Sequence, residues 1–170
     1  HVLAALEARG DKAVVVDDLT TGTPEKVGAT PHFNFDISTT GAADALADIM
    51  QALEVTSVIH FAAKKQVGES VERPLFYYQQ NIGGLVNVLE AMRRENVTKM
   101  IFSSSASVYG APEDAVVTED SPTEPINPYG RSKLIGEWIL ADCERAWRLN
   151  WVALRYFNVA GAGWPELGDS

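Results

Sequence analysis

The chain contains 170 residues, 46% of them hydrophobic and 22% charged, and this composition fits a globular domain with a substantial apolar core. Its formal net charge of −9, with no cluster of lysine or arginine, argues against nucleic acid as a partner. No stretch approaches the roughly 18 consecutive apolar residues of a membrane span, and the first residues lack a basic-then-apolar leader. We therefore expect no membrane association and take the cytoplasm as the default location.

Cysteine and histidine content excludes two kinds of site. Cys143 is the sole cysteine, so it cannot form a disulfide within the chain, and it fits a helix core better than a catalytic role. Three scattered histidines and one cysteine make no metal-ligand cluster. We expect no bound metal ion.

The first elements in chain order predict the second half of a strand–helix–strand unit. Residues 1–10 form a helical pattern closed by Gly10, and the β-branched run at 13–17 ends in Asp17. An acid at that place commonly binds the adenosine ribose hydroxyls of NAD and repels the 2′-phosphate of NADP, although it also fits a loop cap. The Gly-rich turn that should come first would precede His1, so we expect the chain to be a fragment.

Two further strands flank a helix in the next part of the chain. After a loop rich in Thr, Gly and Pro, residues 32–36 alternate as a strand does and end at Asp36 and Ile37. A clear apolar stripe predicts a helix at 42–54, and residues 57–61 fit a buried strand.

Small and basic residues follow that second strand. Ala62 and Ala63 let a backbone approach a flat ligand closely. Lys64 and Lys65 continue into a loop that either reaches a diphosphate or is simply solvated. His60 lies within the apolar strand and fits a core histidine better than a catalytic one.

A long helix is predicted at 74–95, with Pro74 in its first turn. Gly83 and Gly84 lie in mid-helix, where each costs about 1 kcal/mol relative to Ala, so we expect close packing there. Asn81 interrupts the apolar stripe and is either part of a buried network or an ordinary surface residue.

The last elements carry the strongest chemical signal. A buried strand is predicted at 97–102 and the serines at 103–105 follow it in a loop. A Pro-rich crossing at 111–128 leads to a helix at 129–148, then a strand at 151–156 that ends at Phe157 and Asn158; residues 161–170 look like a loop. Open α/β sheets bind ligands at the ends of their strands, so the serines lie where a site is expected.

Tyr129 and Lys133 are four residues apart at the start of that helix, so both side chains share one face. An ammonium beside a phenol favours the phenolate, which lets a tyrosine act as a base near neutral pH. The pair alone is a weak motif, because an ordinary helix with a surface lysine also matches it. The order of strand, serines, tyrosine and lysine along the chain is the stronger evidence for a catalytic site.

Strands and helices alternate along the chain, which predicts an α/β fold with a parallel, doubly wound sheet of the Rossmann type and right-handed crossovers. We expect residues 1–170 to form a single partial domain, truncated at both ends.

Four segments closely resemble the UDP-glucose 4-epimerases, a branch of the extended short-chain dehydrogenases/reductases: VIHFAAKKQVGES at 58–70, FSSSASVYG at 102–110, PYGRSK at 128–133 and RYFNVAGA at 155–162. The resemblance covers nearly the whole chain. It implies tightly held NAD and reversible exchange of UDP-glucose with UDP-galactose. It also implies a homodimer formed through the two long helices, and a C-terminal substrate domain after Ser170.

By this resemblance, Tyr129 takes the proton from the sugar O4, Ser105 hydrogen-bonds the same oxygen, and Lys133 supports Tyr129 and holds the nicotinamide ribose. Asn158 would contact the substrate diphosphate or sugar. The resemblance implies that the remaining cofactor contacts come from Asp17, Asp18, Asp36, Ile37, Phe61, Ala62, Ala63, Lys65, Asn81, Ser103 and Phe157. Asp18 stands where many relatives carry Asn, which would alter the ribose contacts slightly.

Two other functions fit parts of the pattern. A nucleotide-sugar 4,6-dehydratase shares the Tyr and Lys but normally has an acid pair where this chain has Ala106 and Ser107. A non-catalytic nucleotide-binding module also fits the fold. Intact Ser105, Tyr129 and Lys133 argue against it, and nucleotide binding without turnover would favour it.

Overall fold

The computed structural model of the protein describes residues 1–112 and 116–162. The chain divides into two compact units, one made of His1–Asp36 with the residues from Asn158 onward, the other of Ile37–Phe157. Most of the predicted loop at 161–170 lies outside the described residues, and so does part of the Pro-rich segment at 111–128.

The described residues of the first unit form one α-helix, a short 3-10 helix and two short strands. Helix α1 spans Val2–Arg9 and ends at Gly10, whose φ of 79° is the left-handed conformation that suits glycine. Strands β1 (Val15–Asp17) and β2 (His32–Asn34) are parallel, with Asp17 opposite Asn34. A short 3-10 helix at Pro24–Lys26 lies between them. The predicted helix, glycine stop and strands are therefore confirmed.

The second unit is built on a parallel three-stranded sheet. Strands β3 (Val58–His60), β4 (Lys99–Ser105) and β5 (Asn150–Tyr156) pair in that order, with Val58 opposite Met100 and Ser105 opposite Tyr156. The expected α/β class with parallel strands is confirmed.

In the described part of the second unit, six helical segments accompany this sheet, apart from the 3-10 helix after β4. Helix α2 covers Ala42–Ala52 and packs against α5, and α3 covers Val67–Glu72. The other four are α4 at Pro74–Tyr78, a π-helical turn at Gln79–Gly83, α5 at Gly84–Arg94 and α6 at Pro128–Trp147. Tyr77, Leu85, Met92 and Leu140 are fully buried in the core. None of the helices in the described part of the chain is both long and apolar enough to span a membrane.

Two sequence predictions need correction. The single helix predicted at 74–95 is interrupted by the π turn, which a test for the 3.6-residue period of an α-helix does not detect. The strand predicted to stop before the serines continues to Ser105, because parallel pairing with β5 extends through all three serines. Their side chains therefore alternate between the two faces of the sheet.

One face of the three-stranded sheet stays open. In β5 the exposed residues alternate with half-buried ones, and Val152 keeps 55% of its surface. Ile101 of β4 and Leu154 of β5 are exposed as well. Among the described residues, β5 is paired only with β4, so it forms an edge of the sheet.

The helix glycines differ in what surrounds them. A Cβ on Gly84 would lie 3.0 Å from Cγ1 of Ile37, which confirms the expected close packing, whereas Gly83 has no atom within 4 Å of that position. A Cβ on Gly130, in the first turn of α6, would lie only 2.6 Å from the main-chain oxygen of Ser107. The start of α6 therefore contacts the backbone that follows β4.

We expect Gly130→Ala to lower the free energy of unfolding by about 2 kcal/mol, because backbone must move to admit the methyl group. The matched control is Gly83→Ala, which should be neutral or stabilising by up to about 1 kcal/mol, since alanine is the better helix former. Urea unfolding of both variants measures the difference. Equal stability of the two would contradict the packing seen at Gly130.

Candidate active site

Lys133 is almost completely buried at the centre of the candidate site, with 3% of its surface exposed. Its Nζ donates a hydrogen bond of 2.7 Å to the main-chain oxygen of Ser103. The same atom lies 5.9 Å from the ring centroid of Tyr129 and 5.1 Å from that of Phe102. Burial lowers the pKa of Lys133 to about 8. The structure thus brings the lysine to the tyrosine, as the four-residue spacing predicts.

The local sequence explains how α6 presents this pair. Asn127 precedes the helix and its Oδ1 accepts a 2.8 Å hydrogen bond from the Gly130 amide, which caps the first turn. Pro128 occupies the first helical position, where its missing N–H costs nothing. Tyr129 therefore lies at the well-defined beginning of a long helix.

Two of the serines at the end of β4, Ser103 and Ser105, contribute different groups to the site. Ser103 contributes its carbonyl oxygen to Lys133. Ser105 is 8% exposed, and its Oγ accepts a 3.2 Å hydrogen bond from the Ser107 amide at the start of the 3-10 helix Ala106–Tyr109. Because Oγ is the acceptor in that bond, its hydroxyl hydrogen can be donated to a ligand.

Asn81 belongs to a buried network, which decides between the two interpretations open at the sequence level. Its Oδ1 accepts from the Lys64 amide at 2.8 Å, and its Nδ2 donates to the Lys64 oxygen and to Ser132 Oγ, both at 3.0 Å. Ser132 Oγ in turn donates to the main-chain oxygen of Tyr129 at 2.7 Å. The amide hydrogens of Asn81 are thus used within the protein, and the residue joins the loop after β3 to the first turn of α6.

The loop after β3 is held by its backbone and keeps several side chains exposed. The Gln66 amide donates to Tyr77 Oη at 3.0 Å, and Tyr77 donates to Glu69 Oε2 at 2.9 Å. Burial, followed by the contact with Glu69, raises the pKa of Tyr77 to about 12. Phe61 is 47% exposed, and Ala62 and Lys65 are also exposed while Ala63 is half-buried.

His60 lies at the end of β3 and stacks on Phe102, with ring centroids 5.9 Å apart. Burial and, secondarily, the charge of Lys133 lower the pKa of His60 to about 3. The imidazole is therefore neutral at physiological pH, in agreement with its interpretation as a core residue.

Two predicted cofactor residues of the first unit, Asp17 and Asp18, lie where β1 ends in a tight turn. Oδ1 of Asp17 accepts from the Leu19 amide at 2.7 Å, and Oδ1 of Asp18 accepts from the amide and hydroxyl of Thr20 at 3.0 and 2.8 Å. Asp17 therefore caps the loop, and this contact uses one of the two carboxylate oxygens of Asp17. Asp36, also in this unit, is half-buried.

The remaining predicted residues differ in exposure. Ile37 is half-buried, its oxygen accepts a 2.8 Å hydrogen bond from Asn87, and its side chain lies against Gly84. Phe157 is 66% exposed just after β5, and Asn158 is exposed too.

Sequence reasoning missed a charged cluster beside the site. Glu137 of α6 and Arg155 of β5 form a paired contact, with Nη2 2.7 Å from Oε2 and Nε 3.1 Å from Oε1, and Ser104 Oγ donates to Oε1 at 2.5 Å. This hydrogen-bonded pairing raises the pKa of Arg155. The available signal was an acidic residue four positions after Lys133, on the helix face already assigned to the site.

We expect stability to rise with pH between about 8 and 10.5 because of Lys133. Its pKa is lower in the folded protein, so the unfolded chain binds more protons across that window and deprotonation favours folding. Relative to Lys133→Met, the unmodified protein should gain about 3 kcal/mol over this range. Denaturant unfolding of both proteins at pH 7, 8, 9 and 10 measures this gain, and a constant difference would show that Lys133 is not desolvated.

Comparison with known proteins places this geometry in a family. Residues 1–169 match the NAD dependent epimerase/dehydratase family. The UDP-glucose 4-epimerase of Azospirillum brasilense is 47% identical over 163 residues, which are 95% of this chain and 46% of that protein. The enzyme of Lactobacillus helveticus is 41% identical, over 95% of this chain and 48% of its own.

Solved structures give the same result. The UDP-glucose 4-epimerase from Brucella ovis in complex with NAD has a TM-score of 0.91 and 42% identity, and the match covers 95% of this chain and 49% of that one. The Thermus thermophilus enzyme, also in complex with NAD, has a TM-score of 0.89 and 34% identity, over 99% and 54%. The chain spans about half the length of these relatives. The match over nearly its full length shows that the chain belongs to the NAD dependent epimerase/dehydratase family.

Proposed function

We propose that this chain is the NAD-binding part of a UDP-glucose 4-epimerase, an isomerase of galactose metabolism that acts in the cytoplasm. In this proposal residues 1–170 form a partial Rossmann-type domain. The observation that carries it is the ammonium of Lys133, buried beside the Tyr129 ring and hydrogen-bonded to the main-chain oxygen of Ser103, two residues before Ser105 on β4. The relatives named above, which are UDP-glucose 4-epimerases, support the substrate class.

Several features of the described residues suit NAD. Ala62 is exposed after β3 and Ala63 half-buried, so backbone can approach a flat ring, while Lys65 offers a nearby positive charge for a diphosphate. Lys133 would hold the nicotinamide ribose, and Phe61 and Phe157 offer exposed aromatic rings. Asp17 would bind the adenosine ribose through its second carboxylate oxygen, and Asp18, Asp36 and Ile37 would supply further contacts to the cofactor.

Asn81 and Ser103 support the cofactor differently. The hydrogen bonds of Asn81 lie within the protein, so we propose that it shapes the cofactor loop and the start of α6. Ser103 acts through its carbonyl oxygen, which orients the ammonium of Lys133.

The proposed chemistry begins at the sugar O4. Tyr129, as phenolate, removes the O4 proton, and Ser105 donates a hydrogen bond to the same oxygen as its bond order to carbon rises. Bound NAD would supply the acceptor, and then the donor, of the hydride at C4. Tyr129 then gives the proton back to O4, while the Lys133 ammonium stays beside its ring. Asn158 would contact the diphosphate or sugar.

Turnover by the protein encoded by the complete open reading frame tests this proposal. It should convert UDP-galactose to UDP-glucose without added oxidant, and Tyr129→Phe should lower kcat by at least about 100-fold, because general acid–base catalysis typically contributes that much. Tyr78→Phe, which removes a phenol from helix α4, is the control and should keep kcat within about twofold.

Three other outcomes would change the conclusion. Conversion of a different nucleotide sugar would retain the family and overturn the substrate. Loss of water from the sugar would favour a dehydratase, against which Ala106 and Ser107 argue. Binding of NAD with no turnover on any sugar would favour a non-catalytic nucleotide-binding module.

We also propose a homodimer formed through the two long helical regions, with no nucleic acid or membrane as partner. Large apolar side chains are exposed there: Leu75 at 82%, Trp138 at 60% and Val86 at 41%. Exposed apolar residues on paired helices are typical of a protein–protein interface. This matches the interface that the resemblance implies.

Trp138→Glu should weaken the dimer at least about 100-fold, because association would then bury an unpaired carboxylate. Val116→Glu, at a loop position that is 78% exposed, should leave the dimer intact. Analytical ultracentrifugation of both variants over a concentration series measures the effect. A Trp138→Glu protein that dimerises like the parent would place the interface elsewhere.

A further inference from the structure

Glu137 is a buried carboxylate to which neither the family resemblance nor the proposed chemistry gives a role. It is 6% exposed and lies on α6, one turn after Lys133 and about two turns after Tyr129. A buried carboxylate is costly unless it is paired and fully hydrogen-bonded. Its partners therefore indicate why the position holds an acid.

Both oxygens of Glu137 are used. Oε1 accepts from Ser104 Oγ at 2.5 Å and from Arg155 Nε at 3.1 Å, and Oε2 accepts from Arg155 Nη2 at 2.7 Å. Ser104 and Arg155 are directly opposite each other in the β4–β5 pair. One carboxylate thus joins α6 to two neighbouring strands.

Arg155 extends these contacts beyond the sheet. Its Nη1 donates to Tyr109 Oη at 3.0 Å and to the main-chain oxygen of Glu119 at 3.1 Å. Tyr109 ends the 3-10 helix that begins directly after Ser105. We call Glu137, Ser104, Arg155 and Tyr109 the Glu137 network. It contacts the polypeptide on both sides of the Ser105 hydroxyl.

Two successive turns of α6 therefore contact two successive residues of β4. Lys133 binds the oxygen of Ser103, and Glu137 binds the hydroxyl of Ser104. A single contact would allow the helix to rotate or slide about it, whereas two contacts about 5–6 Å apart along the axis fix both motions. The position of Tyr129 relative to Ser105 depends on this docking.

We propose that Glu137 is a positioning residue which, through Ser104 and Arg155, fixes α6 against β4 and so sets the separation of the Tyr129 and Ser105 hydroxyl groups. The inference rests on the proposed function for the roles of those two groups. Glu137 contacts no reacting atom. Its effect should appear in the chemical step and not in nucleotide binding, because a displacement of about 1 Å in reacting groups can cost 100-fold in rate.

The first test uses Glu137→Gln in the protein encoded by the complete open reading frame. The amide keeps the shape but loses the charge and one acceptor oxygen, so we expect kcat to fall at least tenfold while KM for UDP-galactose stays within about threefold. The control is Glu144→Gln on the same helix, where Glu144 accepts a 2.9 Å hydrogen bond from Trp151 of β5. It should keep kcat within about twofold. A kcat for folded Glu137→Gln within twofold of the parent would overturn the proposal.

Ser104→Ala covers the case in which Glu137→Gln does not fold. It removes one hydrogen bond and leaves the Glu137–Arg155 pair intact, so it should lower kcat about threefold or more with KM unchanged. Unchanged kcat in a folded Ser104→Ala protein would overturn the positioning role.

Amide hydrogen exchange separates this inference from the proposed function. Glu137→Gln, or Ser104→Ala in its place, should speed exchange at residues 131–135 at least tenfold relative to Glu144→Gln, whatever sugar the protein uses. If the parent protein is inactive on UDP-glucose and UDP-galactose, the proposed function is overturned. Faster amide exchange at residues 131–135 in the variant still supports the docking role in that case. Equal exchange in the variants would overturn the docking role even in an active enzyme.

Discussion

The candidate site depends on one electrostatic constraint, which is that a lysine ammonium must be kept in a nearly water-free place. Lys133 is 3% exposed and its pKa falls to about 8, so the fold bears the cost of its desolvation. The Ser103 oxygen and the faces of two aromatic rings offset part of that cost. Little water is present to screen this charge, and the centroid of the Tyr129 ring lies 5.9 Å from it.

The surrounding elements are arranged to keep that environment constant. Asn81 projects from the π turn and binds both the loop after β3 and Ser132, next to Lys133. Glu137 binds Ser104 of β4 and Arg155 of β5, and so joins α6 to these two strands. Each of these polar side chains is buried and satisfied, and such networks favour a single arrangement of the elements they join.

The sequence predicted those features that depend on local spacing. The pairing of Tyr129 with Lys133 follows from four-residue helical geometry, and the end of α1 follows from Gly10. Features set by distant partners escaped prediction. Serines favour loops, so only pairing with β5 could show that β4 reaches Ser105, and the partners of Glu137 are 18 and 33 residues away in sequence. The sequence showed that Glu137 shares a face of α6 with Lys133, but it did not show that Arg155 would neutralise its charge.

The open side of the three-stranded sheet has a practical consequence. Strand β5 has an unpaired edge within the described residues and exposes Val152 and Leu154 beside it. An apolar edge strand is a template for intermolecular strand addition, and this one carries no lysine or proline to prevent it. Aggregation during expression and refolding of the 170-residue polypeptide should therefore start at β5. A charged residue in place of Val152 is the simplest way to obtain it in soluble form.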